Sequence, residues 1–281
     1  MRYLIVLLGI LLVGCASVDD NTPQGATSYV YNSKAESGSG EFNALEKLQT
    51  NSDNGVGVVL IHGRGGNPDA AVVRQLRHDL YDRGYSTVSI QAPVPSSFVE
   101  GDSANQPPFD EYENDVNGNN LVFPETYARI RTAINRLAQH NVNKIVLIGF
   151  SMGSRMVVAH VALGQVDELE IIGLIGVGMR GDGAGVLGST SVMDEVGALA
   201  IPVLDLYGDK DFNAVNTYND RYQAYIAGGG DSNDYTQSIL NCPELSANYT
   251  QNDCHKLRGG LKGTASAPLE TDVSNWISGL L

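Results

Sequence analysis

Continuous apolar runs and helically spaced apolar residues alternate along the chain from residue 57 onward. Continuous runs predict strands that are buried on both faces, as in a parallel sheet. Residues 58–61 are such a run, and further strands are predicted at residues 86–91, 144–149, 171–177 and 202–207, with another candidate at 235–240. Apolar residues spaced three and four apart predict helices between the strands. These helices cover residues 72–80, 124–137, 154–163, 215–226 and 268–280.

This alternation predicts the fold class α/β, with a mainly parallel central sheet and helices on both faces. Two segments, residues 93–123 and 179–198, interrupt it between a strand and the next helix. Open α/β sheets place ligand-binding loops at such positions. We therefore expect residues 93–123 to form either a small cap over a site or solvent-exposed decoration of the domain.

The N-terminus has the composition of a secretory signal. Arg2 is followed by an apolar run over residues 3–13, and a glycine precedes Cys15. The run is too short for a permanent membrane span, so the pattern predicts a signal peptide over residues 1–14. Residues 12–15 also resemble the lipobox of bacterial lipoproteins, which implies cleavage before Cys15 and lipidation of its thiol. The alternative is an ordinary signal peptide with an unrelated cysteine.

The two residues after the predicted lipidation site are alanine and serine, not the aspartate that often retains lipoproteins at the inner membrane. We therefore expect a lipoprotein of the bacterial cell envelope, anchored to the outer membrane through Cys15 and facing the periplasm. Residues 15–40 are rich in small polar residues and predict a flexible tether. The alternative is that residues 29–31 form a short first strand. Residues 41–281 then make up a single domain.

The charge balance excludes one class of partner. The chain has 18 Lys and Arg against 32 Asp and Glu, a net charge of −14, so its average surface repels nucleic acid. Apart from Cys15, the cysteines are Cys242 and Cys254. In an oxidising compartment we expect this pair to form a disulfide. Cys or His partners at metal-binding spacing are missing from the sequence, so no metal site is expected.

Residues 149–153, Gly-Phe-Ser-Met-Gly, match the pattern Gly-x-Ser-x-Gly. The pattern alone is weak evidence, but here it ends an apolar strand and opens an apolar helix, as a nucleophile elbow requires. Such a turn exposes the serine oxygen, and side chains larger than those of Gly149 and Gly153 would clash. Ser151 is therefore predicted to be a nucleophile. The alternative is a tight strand-to-helix turn without catalysis.

With this elbow the sequence resembles the α/β-hydrolase superfamily. The family carries a His-Gly loop after its first buried strand, and residues 62–66, His-Gly-Arg-Gly-Gly, are similar to it. The resemblance implies an oxyanion hole formed by the backbone N–H groups of Arg64 and Met152. The glycines that shape the loop are Gly63 and Gly65. A glycine-rich phosphate loop is the competing interpretation, but the Lys-Ser/Thr ending of such loops is missing.

Residues 207–211, Tyr-Gly-Asp-Lys-Asp, follow an apolar strand and are similar to the segment that carries the family's acid. The resemblance implies that Asp211 orients the catalytic histidine, with Asp209 as the alternative. The family order is serine, acid, histidine, and of the five histidines only His255 follows Asp211. His255 comes directly after an apparent insertion at residues 241–254. The expected disulfide would hold this insertion beside His255.

The resemblance extends over about residues 55–281 and implies a serine hydrolase that cleaves carboxylic esters through an acyl-enzyme on Ser151. The implied substrate is a small-molecule ester, and neither cofactor nor metal is needed. The alternatives are a peptidase or thioesterase with the same triad, and a non-catalytic binding lipoprotein on a hydrolase fold. As a cap, the aromatic and acidic residues of 93–123 would suit neutral or cationic esters better than anionic ones. The oligomeric state is not predicted.

Overall fold

A computed structural model describes residues 27–32, 41–50, 54–93, 122–164, 167–181, 192–257 and 266–281. The strands of these residues are β1 (Thr27–Asn32), β2 (Glu41–Lys47), β3 (Val56–Ile61), β4 (Ser86–Ile90), β5 (Lys144–Phe150), β6 (Glu170–Val177), β7 (Val203–Gly208) and β8 (Tyr235–Leu240). They form one sheet with the order β1-β2-β4-β3-β5-β6-β7-β8. The β1–β2 and β2–β4 pairs are antiparallel, whereas the pairs from β4 to β8 are parallel.

Helices cover both faces of this sheet. The helices of the described ranges are α1 (Ala71–Asp82), α2 (Val122–Ala138), α3 (Met152–Ala162), α4 (Val192–Gly197), α5 (Phe212–Val215), α6 (Tyr218–Ala227), α7 (Gln251–His255) and α8 (Ser266–Gly279). Apolar residues of α1 and α8 pack in one hydrophobic cluster, and those of α2, α3, α4 and α6 pack in another. Successive residues of β3 alternate between the clusters, with Leu60 in the first and Ile61 in the second. The sheet is therefore the middle layer of a three-layer domain.

The predicted fold class, with a mainly parallel sheet and helices on both faces, is confirmed. Every predicted strand is present within two residues of its expected bounds, including the last candidate at residues 235–240. Continuous apolar runs predicted these strands well because a strand in the middle of the sheet has both faces buried. The helix expected over 215–226 begins three residues later, as α6, after the separate short helix α5, and the interrupting segment 179–198 contains α4.

The prediction of a tether over residues 15–40 is wrong for residues 27–32, which form β1, in line with the alternative of a short first strand. Strand β2 was not predicted. Phe42 and Ala44 are buried, but buried Glu46 in the same strand hides the apolar pattern. The carboxylate of Glu46 accepts hydrogen bonds from Arg136 at 3.0 and 2.9 Å, and this pairing lets a charged residue lie inside the strand.

Other predictions fall on residues outside the described ranges. They are the signal peptide over 1–14, the lipidation site Cys15 and residues 94–121 of the expected cap. Among the helices that the structure describes, none combines the length and the apolar character needed to cross a bilayer.

A buried ion pair links the start of α6 to strand β7 of the sheet. Asp205 of β7 and Arg221 of α6 are both fully buried. The guanidinium donates to the carboxylate at 2.9 and 3.1 Å, and the Tyr235 hydroxyl donates to it at 3.0 Å. Arg221 also donates to the carbonyl of Ala214 at 3.1 Å and to Oγ1 of Thr217 at 2.7 Å. The start of α6 is therefore held at one position relative to β7.

We expect Arg221→Met to lower the free energy of unfolding by about 3–5 kcal/mol, because it leaves the Asp205 carboxylate buried without its cation. Urea denaturation measures the change. The matched control is Arg74→Gln, since Arg74 is 44% exposed and lies 3.7 Å from Asp69, and its loss should cost less than about 1 kcal/mol. A cost for Arg221→Met as small as that of the control would contradict this role for the pair.

Candidate active site

Ser151 occupies a strained turn between β5 and α3. Its φ is 53° and its ψ −114°, a backbone conformation that residues other than glycine rarely adopt. The Ser151 N–H donates to the carbonyl of Val177 at 2.8 Å, and the Ser154 hydroxyl donates to the carbonyl of Gly149 at 2.7 Å. These bonds hold the turn from both sides. The Ser151 side chain makes no capping hydrogen bond to α3, so its hydroxyl is not used in closing the helix.

The two glycines of the elbow allow close backbone contacts. A Cβ atom at Gly149 would lie 2.3 Å from the carbonyl oxygen of Gly153, and one at Gly153 would lie 2.4 Å from that of Ile61. Both obstacles are backbone atoms, so no side-chain rotation could relieve the clash. The requirement for glycine therefore comes from the packing of α3 directly against the ends of β3 and β5.

His255 and Asp211 are joined by a hydrogen bond of 2.6 Å between Nδ1 and Oδ2. A carboxylate only accepts, so Nδ1 carries a proton, and in the neutral imidazole Nε2 then keeps a lone pair. Asp211 is fully buried at the start of α5, where its other oxygen accepts from the Ala214 N–H at 3.4 Å. The ring of His255 lies against the ring of Phe150, with centroids 5.2 Å apart. The imidazole is therefore held at one nitrogen and along one face.

Asp209, the alternative acid, binds a backbone N–H group and not the imidazole. Its Oδ1 accepts a hydrogen bond from the Cys242 N–H at 2.7 Å. The neighbouring Lys210 donates to the carbonyl of Cys242 at 2.8 Å and to Glu244 at 3.1 Å. Asp209 and Lys210 thus hold the segment after β8, whereas Asp211 holds the imidazole.

Cys242 and Cys254 form a disulfide directly before His255. A Cβ atom at Gly208 would lie 2.5 Å or less from both sulfurs, so the bridge packs against the end of β7. The sulfurs and a carboxylate oxygen of Asp209 lie within 4.8 Å of one another. They do not fit a metal site, because thiolates are the ligands that bind metals and both sulfurs are in the disulfide.

A cavity of about 410 Å³ is lined by several of the predicted residues. Ser151 and His255 line it, and so do Gly63, Arg64 and Gly65 of the His-Gly loop. The backbone of this loop packs against the serine, since a Cβ atom at Gly63 would lie 3.1 Å from Cβ of Ser151.

Met152, the second predicted oxyanion donor, is the first residue of α3. Its backbone N–H therefore has no acceptor within the helix. The partial positive charge of the helix N-terminus lies beside the Ser151 hydroxyl. An oxygen that gains negative charge at this position is stabilised by both effects.

His62 holds the loop and does not titrate near neutral pH. It is buried, and burial lowers its pKa to about 4. Its Nε2 accepts from the Ala92 N–H at 3.0 Å, so Nδ1 carries the proton and donates to the Gly63 carbonyl at 2.7 Å. The imidazole ties the loop after β3 to the residues after β4.

Sequence analysis missed several residues of the site. Gly178, with φ 60°, leaves room for the imidazole, because a Cβ atom there would lie 3.1 Å from the ring of His255. The cavity wall also contains residues that were not predicted, namely Phe150, Arg180, Asn213, Asn252 and Lys256. No motif marks them. Their positions after predicted strands were the available signal, since Gly178, Arg180 and Asn213 follow β6 and β7 at the edge where parallel sheets bind ligands.

Solved structures share this fold. An esterase from Pyrococcus furiosus has a TM-score of 0.64 at 13% identity, over 94% of this chain and 96% of that chain. A dienelactone hydrolase from Anabaena variabilis has a TM-score of 0.56 at 16% identity, over 91% and 98%. An α/β serine hydrolase without a lid from Xanthomonas campestris has a TM-score of 0.52 at 18% identity, over 86% and 94%. At these identities the likeness shows the α/β-hydrolase fold alone.

Sequence comparison gives the family. No curated protein matches the chain. The family described as "Protein of unknown function (DUF3530)" matches residues 33–262, which is most of the chain. The chain therefore belongs to the DUF3530 family, on an α/β-hydrolase fold.

Proposed function

We propose that the chain is a serine hydrolase that cleaves carboxylic esters of small molecules through an acyl-enzyme on Ser151. One observation carries the proposal: a strained serine and a histidine bound to a buried carboxylate line the same cavity. The esterase, the dienelactone hydrolase and the serine hydrolase among the structural neighbours support the same reaction class.

The first half of the reaction uses the free nitrogen of His255. Because Nδ1 donates to Asp211, Nε2 accepts the proton of the Ser151 hydroxyl as its oxygen attacks the ester carbonyl. Asp211 stabilises the imidazolium that forms. The carbonyl oxygen takes up the electron pair and becomes an oxyanion. The imidazolium then gives its proton to the leaving alcohol, and the acyl group stays on Ser151.

The oxyanion is held by two backbone donors in this proposal, the N–H groups of Arg64 and Met152. Each such donor is worth about 3 kcal/mol of the barrier when it is fixed before the reaction. The loop of Arg64 is fixed by His62, and Met152 is fixed by the helix that it begins. The groups that stabilise the transition state therefore need little rearrangement.

The second half repeats these steps with water. His255 takes a proton from a water molecule, whose oxygen attacks the acyl carbon and forms a second oxyanion. Collapse of this intermediate breaks the bond to the Ser151 oxygen, which recovers its proton from His255. The products are a carboxylic acid and an unchanged enzyme.

We also propose that Cys15 carries a lipid anchor in the bacterial outer membrane and that the domain faces the periplasm. The support is the lipobox-like sequence of residues 12–15 together with the disulfide between Cys242 and Cys254. Such bonds persist in oxidising compartments and are rare in the cytosol.

We expect Ser151→Ala to abolish both the hydrolysis of 4-nitrophenyl butyrate and covalent labelling by a fluorophosphonate. His255→Ala and Asp211→Asn should lower kcat by about 10⁴-fold, because the general base is lost or held in the wrong tautomer. Asp209→Asn and His140→Ala are the matched controls and should keep most of the activity.

Labelling of folded Ser151→Ala, or no labelling of the folded natural protein, would contradict the proposed nucleophile. A parallel panel of thioesters and peptide amides separates an esterase from a thioesterase or peptidase with the same residues. If the natural protein is labelled and cleaves only the amides or thioesters, the nucleophile stands and the ester substrate does not.

The disulfide is expected to position His255. Replacing both cysteines, Cys242→Ser with Cys254→Ser, frees the segment that precedes the imidazole, and displacements near 1 Å can cost about 100-fold in rate. We expect kcat to fall by at least tenfold while KM changes little, under conditions where circular dichroism shows a folded protein. Full turnover with an unchanged pH–rate profile would show that the bridge does not position the base.

The anchor has its own test. Cys15→Ser should abolish incorporation of labelled palmitate into the protein, since the Cys15 thiol carries the lipid in this proposal. Cys242→Ser, which leaves Cys15 intact, is the control and should still be labelled. A natural protein that takes up no label would contradict the lipid anchor.

A further inference from the structure

The cavity around Ser151 contains side-chain amides that the proposed reaction does not use. Asn213 and Asn252 both line it. Each makes its hydrogen bonds through the backbone. The Asn213 carbonyl accepts from Oγ1 of Thr217 at 3.1 Å, and the Asn252 carbonyl accepts from the Lys256 N–H at 3.1 Å. Within the described part of the chain neither side-chain amide is bonded to another residue, so both are available to a molecule in the cavity.

The two amides lie on the same short helices as the acid and the base. Asn252 and His255 are three residues apart in α7, and side chains at this spacing lie on one face of a helix. Asn213 lies two residues after Asp211, in α5. Both asparagines are therefore fixed in sequence and in structure to the groups that activate Ser151.

The backbone that carries Asn252 is held at both ends of α7. At the start, the Thr250 N–H donates to the carboxylate of Asp253 at 2.9 Å, and the Asp253 N–H donates to Oγ1 of Thr250 at 3.3 Å. At the end, Cys254 is in the disulfide that precedes His255. The amide of Asn252 and the imidazole therefore keep a constant relation to each other.

The position of His255 indicates which part of an ester meets Asn252. In the proposed reaction the imidazolium gives its proton to the leaving alcohol, so the alcohol oxygen must lie within about 3 Å of Nε2. The atoms attached to that oxygen then occupy the cavity beside α7. Since Asn252 shares a face of α7 with His255, it lies beside the alcohol part of the ester.

An amide is chemically suited to a hydroxyl group. A hydroxyl both donates and accepts a hydrogen bond, and an asparagine amide offers two N–H donors and one oxygen acceptor. The ammonium of Lys256 also lines the cavity and adds donors alone. Arg64 and Arg180 line it as well, but each already interacts within the chain. Recognition of hydroxyl groups by the two amides does not require either guanidinium to be free.

An apolar alcohol fits the described part of the wall less well. Phe150 is the one apolar side chain among the described lining residues, apart from glycines, and its ring lies against His255. An apolar group that displaced water from the asparagine amides would leave them without hydrogen-bond partners, which costs free energy. A hydroxyl group replaces that water without this cost.

We propose that the ester cleaved at Ser151 has a polyhydroxylated alcohol, a sugar or an open-chain polyol, whose free hydroxyl groups are bound by Asn213 and Asn252. This substrate class presupposes the ester hydrolysis proposed above. Such an alcohol is neutral, so the net charge of −14 does not oppose its approach as it would oppose that of an anionic ester.

The test compares acetates that share the acyl group and differ in the alcohol. Glycerol 1-acetate is paired with propyl acetate, and methyl 6-O-acetylglucoside is paired with cyclohexylmethyl acetate. Each kcat/KM is divided by the rate constant for alkaline hydrolysis of the same ester, which corrects for leaving-group reactivity. We expect this normalised value to be about tenfold higher for the hydroxylated member of at least one pair, the first pair for a polyol and the second for a sugar. Asn213→Leu and Asn252→Leu should each lower that ratio about fivefold, because each removes a hydrogen bond to the alcohol.

Asn219→Leu makes the same replacement at an exposed position of α6 and is the matched control, for which the ratio should stay unchanged. A fifth ester, 3-acetoxypropanoate, has a carboxylate in place of the hydroxyls. Three results would overturn the polyhydroxylated alcohol while the hydrolase stands: a ratio near one in both pairs, a ratio that Asn213→Leu and Asn252→Leu leave unaltered, or a preference for 3-acetoxypropanoate. Labelling by a fluorophosphonate without cleavage of any of the five esters would overturn it as well. If folded protein cleaves none of them and is not labelled, the proposed function itself fails.

Discussion

The hydrogen bond between His255 and Asp211 is the interaction on which the proposed chemistry depends. An imidazole accepts a serine proton in the right direction only when its other nitrogen is held. The two residues are 44 positions apart, so the fold has to bring them together. Strand β7 positions both. Asp211 follows the strand by three residues, and the disulfide that precedes His255 packs against Gly208 at its end. The Asp205–Arg221 pair fixes the same strand to α6.

The serine is positioned by the neighbouring strands. Ser151 follows β5, its N–H is bound to the last residue of β6, and α3 packs against the carbonyl of Ile61 in β3. Strands β3, β5, β6 and β7 are consecutive in the sheet. The site is therefore built on the carboxyl ends of four adjacent parallel strands, and the residues that follow each strand supply its parts. The same edge also carries the cations of the cavity.

Much of this arrangement could be predicted from sequence because it depends on local patterns. Buried parallel strands appear as continuous apolar runs, and the elbow at Ser151 requires glycines that the sequence shows directly. The resemblance favoured Asp211 as the acid, but Asp209 remained the alternative. The two acids are two residues apart, and only the fold shows that one binds the Cys242 N–H and the other the imidazole.

Sequence analysis missed strand β2 and the positively charged residues of the cavity because both depend on contacts between residues that are distant in sequence. Lys47 ends β2 and is buried, with its ammonium 3.0 Å from Nδ1 of His78 and 4.3 Å from the ring centroid of Tyr81. These partners are distant in sequence, so hydropathy alone could not show that a charged residue belongs inside a strand. Arg180 and Lys256 likewise carry no motif. Their common location follows from the strand order, which appears only in the folded chain.

The most direct measurement is a crystal structure of the protein after reaction with a phosphonate ester that mimics the tetrahedral intermediate. We expect a covalent bond from phosphorus to Oγ of Ser151. A phosphoryl oxygen should accept hydrogen bonds from the N–H groups of Arg64 and Met152, and Nε2 of His255 should lie within hydrogen-bonding distance of the Ser151 oxygen. Phosphorus bound to another residue, or an imidazole turned away from the adduct, would contradict the central claim that these residues form one reacting centre.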